Sequence, residues 1–290
     1  MKTALIQQSF HGSREKTLEY TLREIKEAAA QKAQLVVLGE LHKDKYFCIN
    51  ENTDNFTLAD SFNDDVNLFS SIAKKEGIVL ITSLFERRTA GLYHNTAVVF
   101  EKNGEIAGKY RKMHIPDDPS FYEKFYFAPG DLGFNPINTS VGKIGLLVCW
   151  DQWYPEAARI MALKGADFLV YPTAIGWFDA DRDDEKKRQL DAWITIQRSH
   201  AIANGLSIVS VNRVGLESDE KNVNEPIRFW GNSFAAGAQG EILAMANDRD
   251  ECTLYIDLDI KRSEEVRRIW PFLRDRRVDA YAEITERFID

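Results

Sequence analysis

Two observations predict an α/β fold. Short, wholly apolar runs such as Leu35-Val36-Val37-Leu38 have the composition of strands buried on both faces. Between them lie segments with apolar residues three and four apart, the spacing of amphipathic helices. Alternation of the two kinds makes sheets covered by helices on at least one side.

In chain order, residues 2–8 read as a strand, and Leu18, Leu22, Ile25 and Ala29 mark a helix with Ser13 as its N-cap. Leu35 to Leu38 is the second strand, and a helix over 65–76 stops at Gly77. Residues 78–85 form a buried strand. Residues 97–100 and 105–109 pair as a hairpin through Lys102-Asn103-Gly104, because Asn-Gly favours tight turns. A strand over 143–149 runs into a helix opened by Pro155-Glu156, since proline suits the first helical turn, and that helix ends near Gly165. Residues 167–171 are a strand and 186–203 a helix, and strands at 206–212, 229–235, 241–246 and 253–258 complete the pattern. The tail from Trp270 is aromatic and Arg-rich.

Composition narrows the function. The 290 residues carry 37 Lys+Arg against 45 Asp+Glu, a net charge of −8, which argues against a nucleic-acid partner. No apolar run approaches the roughly 18 residues of a membrane span. The N-terminus turns polar at Gln7-Gln8-Ser9, too early for a signal peptide. The expectation is a cytoplasmic, small-molecule enzyme. The three cysteines, Cys48, Cys149 and Cys252, are widely spaced, which disfavours a disulfide framework or a paired-cysteine zinc site.

Cys149 ends the run Gly145-Leu146-Leu147-Val148 and precedes a helix, the strand-turn-helix setting of a nucleophile elbow. A helix N-terminus there would favour the thiolate, and the Trp150 N–H would face an oxyanion. A lone free cysteine is as readily a buried core residue. Glu40 ends the strand Leu35-Val36-Val37-Leu38-Gly39, and strand ends line clefts in α/β sheets; a solvated terminus is the bland alternative. Lys112, in Lys109-Tyr110-Arg111-Lys112-Met113-His114, is by default a surface cation.

Taken together, Glu40, Lys112 and Cys149 resemble the nitrilase (carbon–nitrogen hydrolase) superfamily in type and order. The resemblance runs from the first strand to Trp270-Pro271-Phe272. The segments Lys112 to Pro119, Tyr122 to Phe127, Tyr171 to Trp177 and Asn212 to Gly215 look like its N-carbamoylputrescine amidase branch. Gly39-Glu40-Leu41-His42 departs from that branch, which has Pro before the Glu and Phe after the Leu. The stretch after Trp177 departs as well.

The resemblance implies a four-layer αββα sandwich, with a single domain over 1–268 and a tail over 269–290 available to dock on a partner subunit in a homo-oligomer built from dimers. It implies Cys149 as nucleophile, Glu40 as general base, Lys112 as oxyanion donor and Glu123 as a second carboxylate that orients Lys112 or water. No metal and no cofactor are expected. The implied reaction is hydrolysis of N-carbamoylputrescine, a carbamoyl amine, in polyamine synthesis. A distal ammonium calls for aromatic faces and carboxylates. Tyr46, Trp150, Tyr154 and Trp177 are the substrate-binding candidates, with Asp117, Asp118 and Tyr122 beside them. The acidic run 179–185 reads as a solvated loop. A carbamoyl acid would instead require Arg111, Arg182 or Arg213. The rivals are the same chemistry on another linear amide or carbamoyl acid, and a catalytically idle scaffold.

Overall fold

In a computed structural model describing residues 1–219 and 224–289, the chain opens with β1 (Lys2–Gln7) and α1 (Arg14–Ala30). The Ser13 hydroxyl caps α1 by accepting from the Lys16 N–H at 3.3 Å. Strand β2 (Leu35–Leu38) and helix α2 (Phe62–Glu76) follow. Helix α2 stops at Gly77, whose φ of 65° is the left-handed C-cap conformation that glycine adopts without a Cβ penalty. Strands β3 (Val79–Thr89), β4 (Leu92–Phe100) and β5 (Ile106–Arg111) form a meander. The short helix α3 (Glu123–Tyr126) leads into β6 (Ile137–Thr139), β7 (Gly142–Leu146), α4 (Pro155–Leu163) and β8 (Phe168–Pro172). Then come β9 (Gly176–Phe178), α5 (Asp183–Asn204), β10 (Ser207–Val211) and β11 (Val214–Glu217). The chain ends with β12 (Ile227–Trp230), β13 (Phe234–Ala236), β14 (Ile242–Met245), β15 (Cys252–Asp257) and α6 (Ile260–Ile269), followed by two short 3₁₀ turns.

Two six-stranded sheets result, ordered β15-β1-β2-β3-β4-β5 and β14-β13-β10-β8-β7-β6. Each has three parallel strands at its centre and antiparallel strands at both edges. Period-two alternation sets the layers. In the first sheet Ala4, Ile6, Val36, Leu38, Leu80 and Val98 pack against Ile25 of α1 and Phe69 and Ala73 of α2. Their neighbours Leu5, Val37, Ile81, Ala97 and Val99 point the other way, into a shared core with Ile144, Leu146, Val170 and Val209 of the second sheet. Helices α4 and α5 cover that sheet's far face, on β7, β8 and β10. The four layers are α, β, β, α, as expected.

Several elements differ from expectation. β3 runs on to Thr89, because its last residues pair with the start of β4. The strand before Cys149 ends at Leu146, and Cys149 to Trp153 is a 3₁₀ turn. The expected strand at 229–235 is two strands, β12 and β13, separated by Gly231 at a φ of 53°. β12 joins β9 and β11 in a third, three-stranded sheet absent from the sequence reading. β6 and α6 were also unforeseen. The acidic run is only partly a loop: Asp183, Asp184 and Glu185 form the first turn of α5, where carboxylates complement the helix dipole. No helix among the described residues is long and apolar enough to cross a membrane. Beyond α6 the tail leaves Trp270, Phe272, Ile284 and Phe288 exposed.

Candidate active site

The ends of the central parallel strands converge, as in other α/β sheets. Glu40 follows β2, Cys149 follows β7, the 173–176 segment follows β8 and Asn212 follows β10. Lys112 follows β5, and Glu123 opens α3. The structure brings Glu40, Lys112, Glu123 and Cys149 together, all buried, with Cys149 the most accessible at 3 %.

Lys112 is the centre of the group. Its Nζ donates to Glu40 Oε1 at 2.8 Å and to Glu123 Oε2 at 2.6 Å. Asn95 Nδ2 donates to the same Glu40 oxygen at 2.6 Å, and the Asn95 carbonyl accepts from Ser83 Oγ at 3.0 Å. The Tyr46 hydroxyl donates to Glu123 Oε1 at 2.9 Å. Glu40 Oε2 is buried and has no hydrogen-bond partner among the described residues. An unsatisfied buried acceptor is costly, and such atoms mark places where chemistry uses them.

Cys149 has φ of 45°, a left-handed conformation that costs an L-residue about 1–2 kcal/mol. Its thiol donates to the Ala174 carbonyl at 3.7 Å. The loop carrying Ala174 is pinned by Asn212, whose side chain accepts from Ile175 N and donates to Ile175 O, both at 3.0 Å. Trp150, next in the turn, has one of the leading N–H groups that such a turn leaves without an internal acceptor.

Burial dominates the electrostatics. It pushes the Cys149 thiol well above its ordinary value, with Glu40 adding to the rise and Lys112 opposing it. Burial therefore opposes the thiolate-favouring helix end, a setting that suits a base placed to take the thiol proton. Burial alone would lower Lys112, but the surrounding Cys149, Glu123 and Glu40 charges outweigh it and hold the ammonium well above its usual range. Burial pushes Glu123 up to about 7, aided by Glu40 and resisted by Lys112.

A cavity of about 500 Å³ opens onto Cys149 and Glu123. Trp150 lines it, as expected of a substrate contact. The other three substrate-binding candidates do not. Tyr46 is buried behind Glu123 as its hydrogen-bond donor. Tyr154 stacks on His114 at 3.8 Å. Trp177 packs on Trp230 at 5.3 Å, and Trp230 takes the place on the cavity wall. Asp118 lines the mouth, whereas Asp117 and Tyr122 do not.

The three arginines considered for a substrate carboxylate are engaged elsewhere. Arg111 makes two 2.8 Å bonds to Glu86, Arg213 pairs with Glu217 at 2.6 Å, and Arg182 pairs with Asp184 at 3.0 Å. Sequence reasoning missed Arg188 and Asn95 and set Glu185 aside with the solvated acidic run, whereas α5 places Glu185 and Arg188 on the cavity. Asn95 did carry a signal: it shares the alternation of Ala97 and Val99, so it is a polar residue aimed between the sheets.

Comparison with known proteins agrees with this geometry. The profile of the carbon-nitrogen hydrolase family matches residues 2–268. The chain is 40% identical over 262 residues to an N-carbamoylputrescine amidase of Oryza sativa, covering 89% of this chain and 86% of that one. It is 37% identical over 290 residues to a citrullinase of Francisella tularensis, covering 99% of each. The crystal structure of a carbon-nitrogen hydrolase from Helicobacter pylori G27 superposes with a TM-score of 0.98 at 58% identity, covering 100% of this chain and 99% of that one.

The raised Glu123 pKa makes a stability prediction. Between its ordinary value of 4.5 and about 7, folded Glu123 binds a proton that the unfolded chain has released. Its contribution to stability is therefore greatest at low pH and is lost as pH rises through this window. Glu123→Gln removes the titration. Urea unfolding from pH 4.5 to 8 should show wild type losing stability relative to the variant as pH rises. A constant difference across that range would contradict the assignment.

Proposed function

The chain belongs to the carbon-nitrogen hydrolase family and cleaves amide-type carbon–nitrogen bonds, and from that premise we propose that it hydrolyses N-carbamoylputrescine through a cysteine carbamoyl-thioester. Cys149 attacks the carbamoyl carbon, and the unpartnered Glu40 Oε2 takes the thiol proton. Lys112 has three N–H donors and spends two on Glu40 and Glu123. The third, with the Trp150 N–H, receives the oxyanion. Collapse of the tetrahedral intermediate breaks the C–N bond, and Glu40 returns the proton to the departing amine. Water, deprotonated by Glu40, then opens the thioester, restores the thiol and releases carbamate, which falls to ammonia and CO2. Glu123 keeps Lys112 aimed.

The observation that carries the substrate assignment is the charge at the cavity mouth. Asp118 and Glu185 line it together with the aromatic faces of Phe121, Trp150, Trp153 and Trp230. These surfaces suit a distal ammonium. The cation present, Arg188, is already paired with Glu185 at 2.6 Å and Asp184 at 3.0 Å. Arg188 also favours a second reading, a citrulline-like ureido acid whose carboxylate would draw the guanidinium away from Glu185.

Cys149→Ala and Glu40→Gln should each fold and lose essentially all turnover, whereas Cys48→Ala and Cys252→Ala should keep most of it. Ammonia release by a purified, folded Cys149→Ala at a rate within a few-fold of wild type would refute the nucleophile.

Ammonia release also tests the substrate. kcat/KM for N-carbamoylputrescine should exceed that for citrulline by at least about tenfold, or about 1.4 kcal/mol of transition-state stabilisation. The reverse ranking would move the assignment to the ureido acid.

We also propose a homo-oligomer built from dimers, with the tail beyond residue 268 contributing to the contact. The exposed Trp270, Phe272, Val278, Ile284 and Phe288 support it, because a run of apolar side chains left in solvent is the composition of an unpaired interface. Light scattering should give at least twice the 33.2 kDa chain mass. A stable, active monomer at micromolar concentration would refute it.

A further inference from the structure

Asp151 is fully buried two residues after Cys149 and carries no role in the reaction above. Four donors converge on its carboxylate. Oδ1 accepts from the His114 backbone N–H at 3.1 Å and the His114 ring Nδ1 at 2.7 Å. Oδ2 accepts from the Val148 backbone N–H at 2.9 Å and the Tyr110 hydroxyl at 2.8 Å. Three of these donors, one from Tyr110 and two from His114, bracket Lys112 in sequence. The Val148 N–H and Asp151 itself bracket Cys149, and the Asp151 N–H closes the turn by donating to Val148 O at 3.1 Å. The His114 ring is fixed from its other side by Tyr154, parallel to within 5°.

We propose that Asp151 is a positioning residue whose carboxylate ties the lysine-bearing segment 110–114 to the cysteine-bearing turn 148–151, holding nucleophile and oxyanion donor in register. The inference rests on the roles assigned above to Cys149 and Lys112. Cys149 sits in a left-handed conformation, and such a conformation persists only where its surroundings over-determine it. The Asp151 clamp is a part of those surroundings that also reaches the segment carrying Lys112, through Tyr110 and His114. The requirement is for a carboxylate. Each oxygen holds one backbone N–H, and a backbone N–H cannot reverse its role. In Asp151→Asn, whichever end becomes the amide nitrogen must release either the Val148 or the His114 N–H.

The test compares Asp151→Asn and Tyr110→Phe with wild type and Cys149→Ala, using whichever of N-carbamoylputrescine and citrulline wild type turns over faster. Activity is expressed per folded molecule, with folding followed by circular dichroism. Asp151→Asn should lower kcat by about 10²-fold, the scale of a misplacement of about 1 Å, while KM stays within about threefold. Tyr110→Phe removes one of the four donors and should lower kcat by about three- to tenfold with KM unchanged. A loss that follows only the folded fraction, or a kcat within threefold of wild type for folded Asp151→Asn, overturns the clamp. If Asp151→Asn does not fold, Tyr110→Phe decides, and an unchanged kcat there overturns it. An inactive Cys149→Ala beside a fully active Asp151→Asn sinks the clamp alone. An active Cys149→Ala sinks the nucleophile assignment and the clamp with it.

Discussion

A buried ammonium held between two buried carboxylates sets the terms for everything around it. Taken singly, none of Glu40, Lys112 and Glu123 could stay charged out of water at tolerable cost. Together they carry two potential negative charges against one positive, and burial, with Glu40 adding to it, lifts Glu123 toward neutrality against the pull of Lys112. Removing one partner from such a set costs about 3–5 kcal/mol, because the charge left behind is uncompensated. The ring of donors around it follows from this: Tyr46 satisfies the Glu123 oxygen that Lys112 does not, and Asn95 is a second donor to the Glu40 oxygen that Lys112 holds. One oxygen, Glu40 Oε2, is left out, and it is the atom the proposed chemistry uses.

The same constraint explains why the fold is two sheets face to face. The three ionisable residues come from after β2, after β5 and from α3 of the first half, and the cysteine from after β7 of the second. Only stacked sheets with their parallel strand ends on one side bring the two halves to one cavity. The inter-sheet core of Leu5, Val37, Ile81, Ile144 and Leu146 fixes that relation with apolar contacts alone, leaving the polar pairing to the edge of the core. Asp151 and Asn212 then tie the loops of that edge together.

Substrate recognition obeys looser rules. The inner wall is rigid and aromatic, but the mouth is built by α5, where Glu185 and Arg188 answer each other and Asp184. An exposed pair of this kind contributes little to stability, on the order of 0–1 kcal/mol. Exchanging one partner for another at this mouth therefore has a small cost.

The sequence by itself determined alternating strands and helices, and its resemblance to a known family supplied the four layers and singled out Glu40, Lys112 and Cys149. Wholly apolar strands such as Leu35–Leu38 have no polar face, so packing shows which residues face helices and which face the other sheet, and Glu40, Lys112 and Cys149 stand out only when taken together. Tertiary structure alone decided what surrounds them. Tyr46, Tyr154 and Trp177 have the right chemistry for a substrate wall, yet one backs Glu123, one backs His114 and one backs Trp230. Nothing local distinguishes a tyrosine that touches a ligand from one that orients a carboxylate. The ionisation of Cys149 is set in the same non-local way. A short turn argues for thiolate, but the pull of burial depends on residues far apart in the chain. The small third sheet went unseen because β9, β11 and β12 are only three or four residues long and are strands solely through one another.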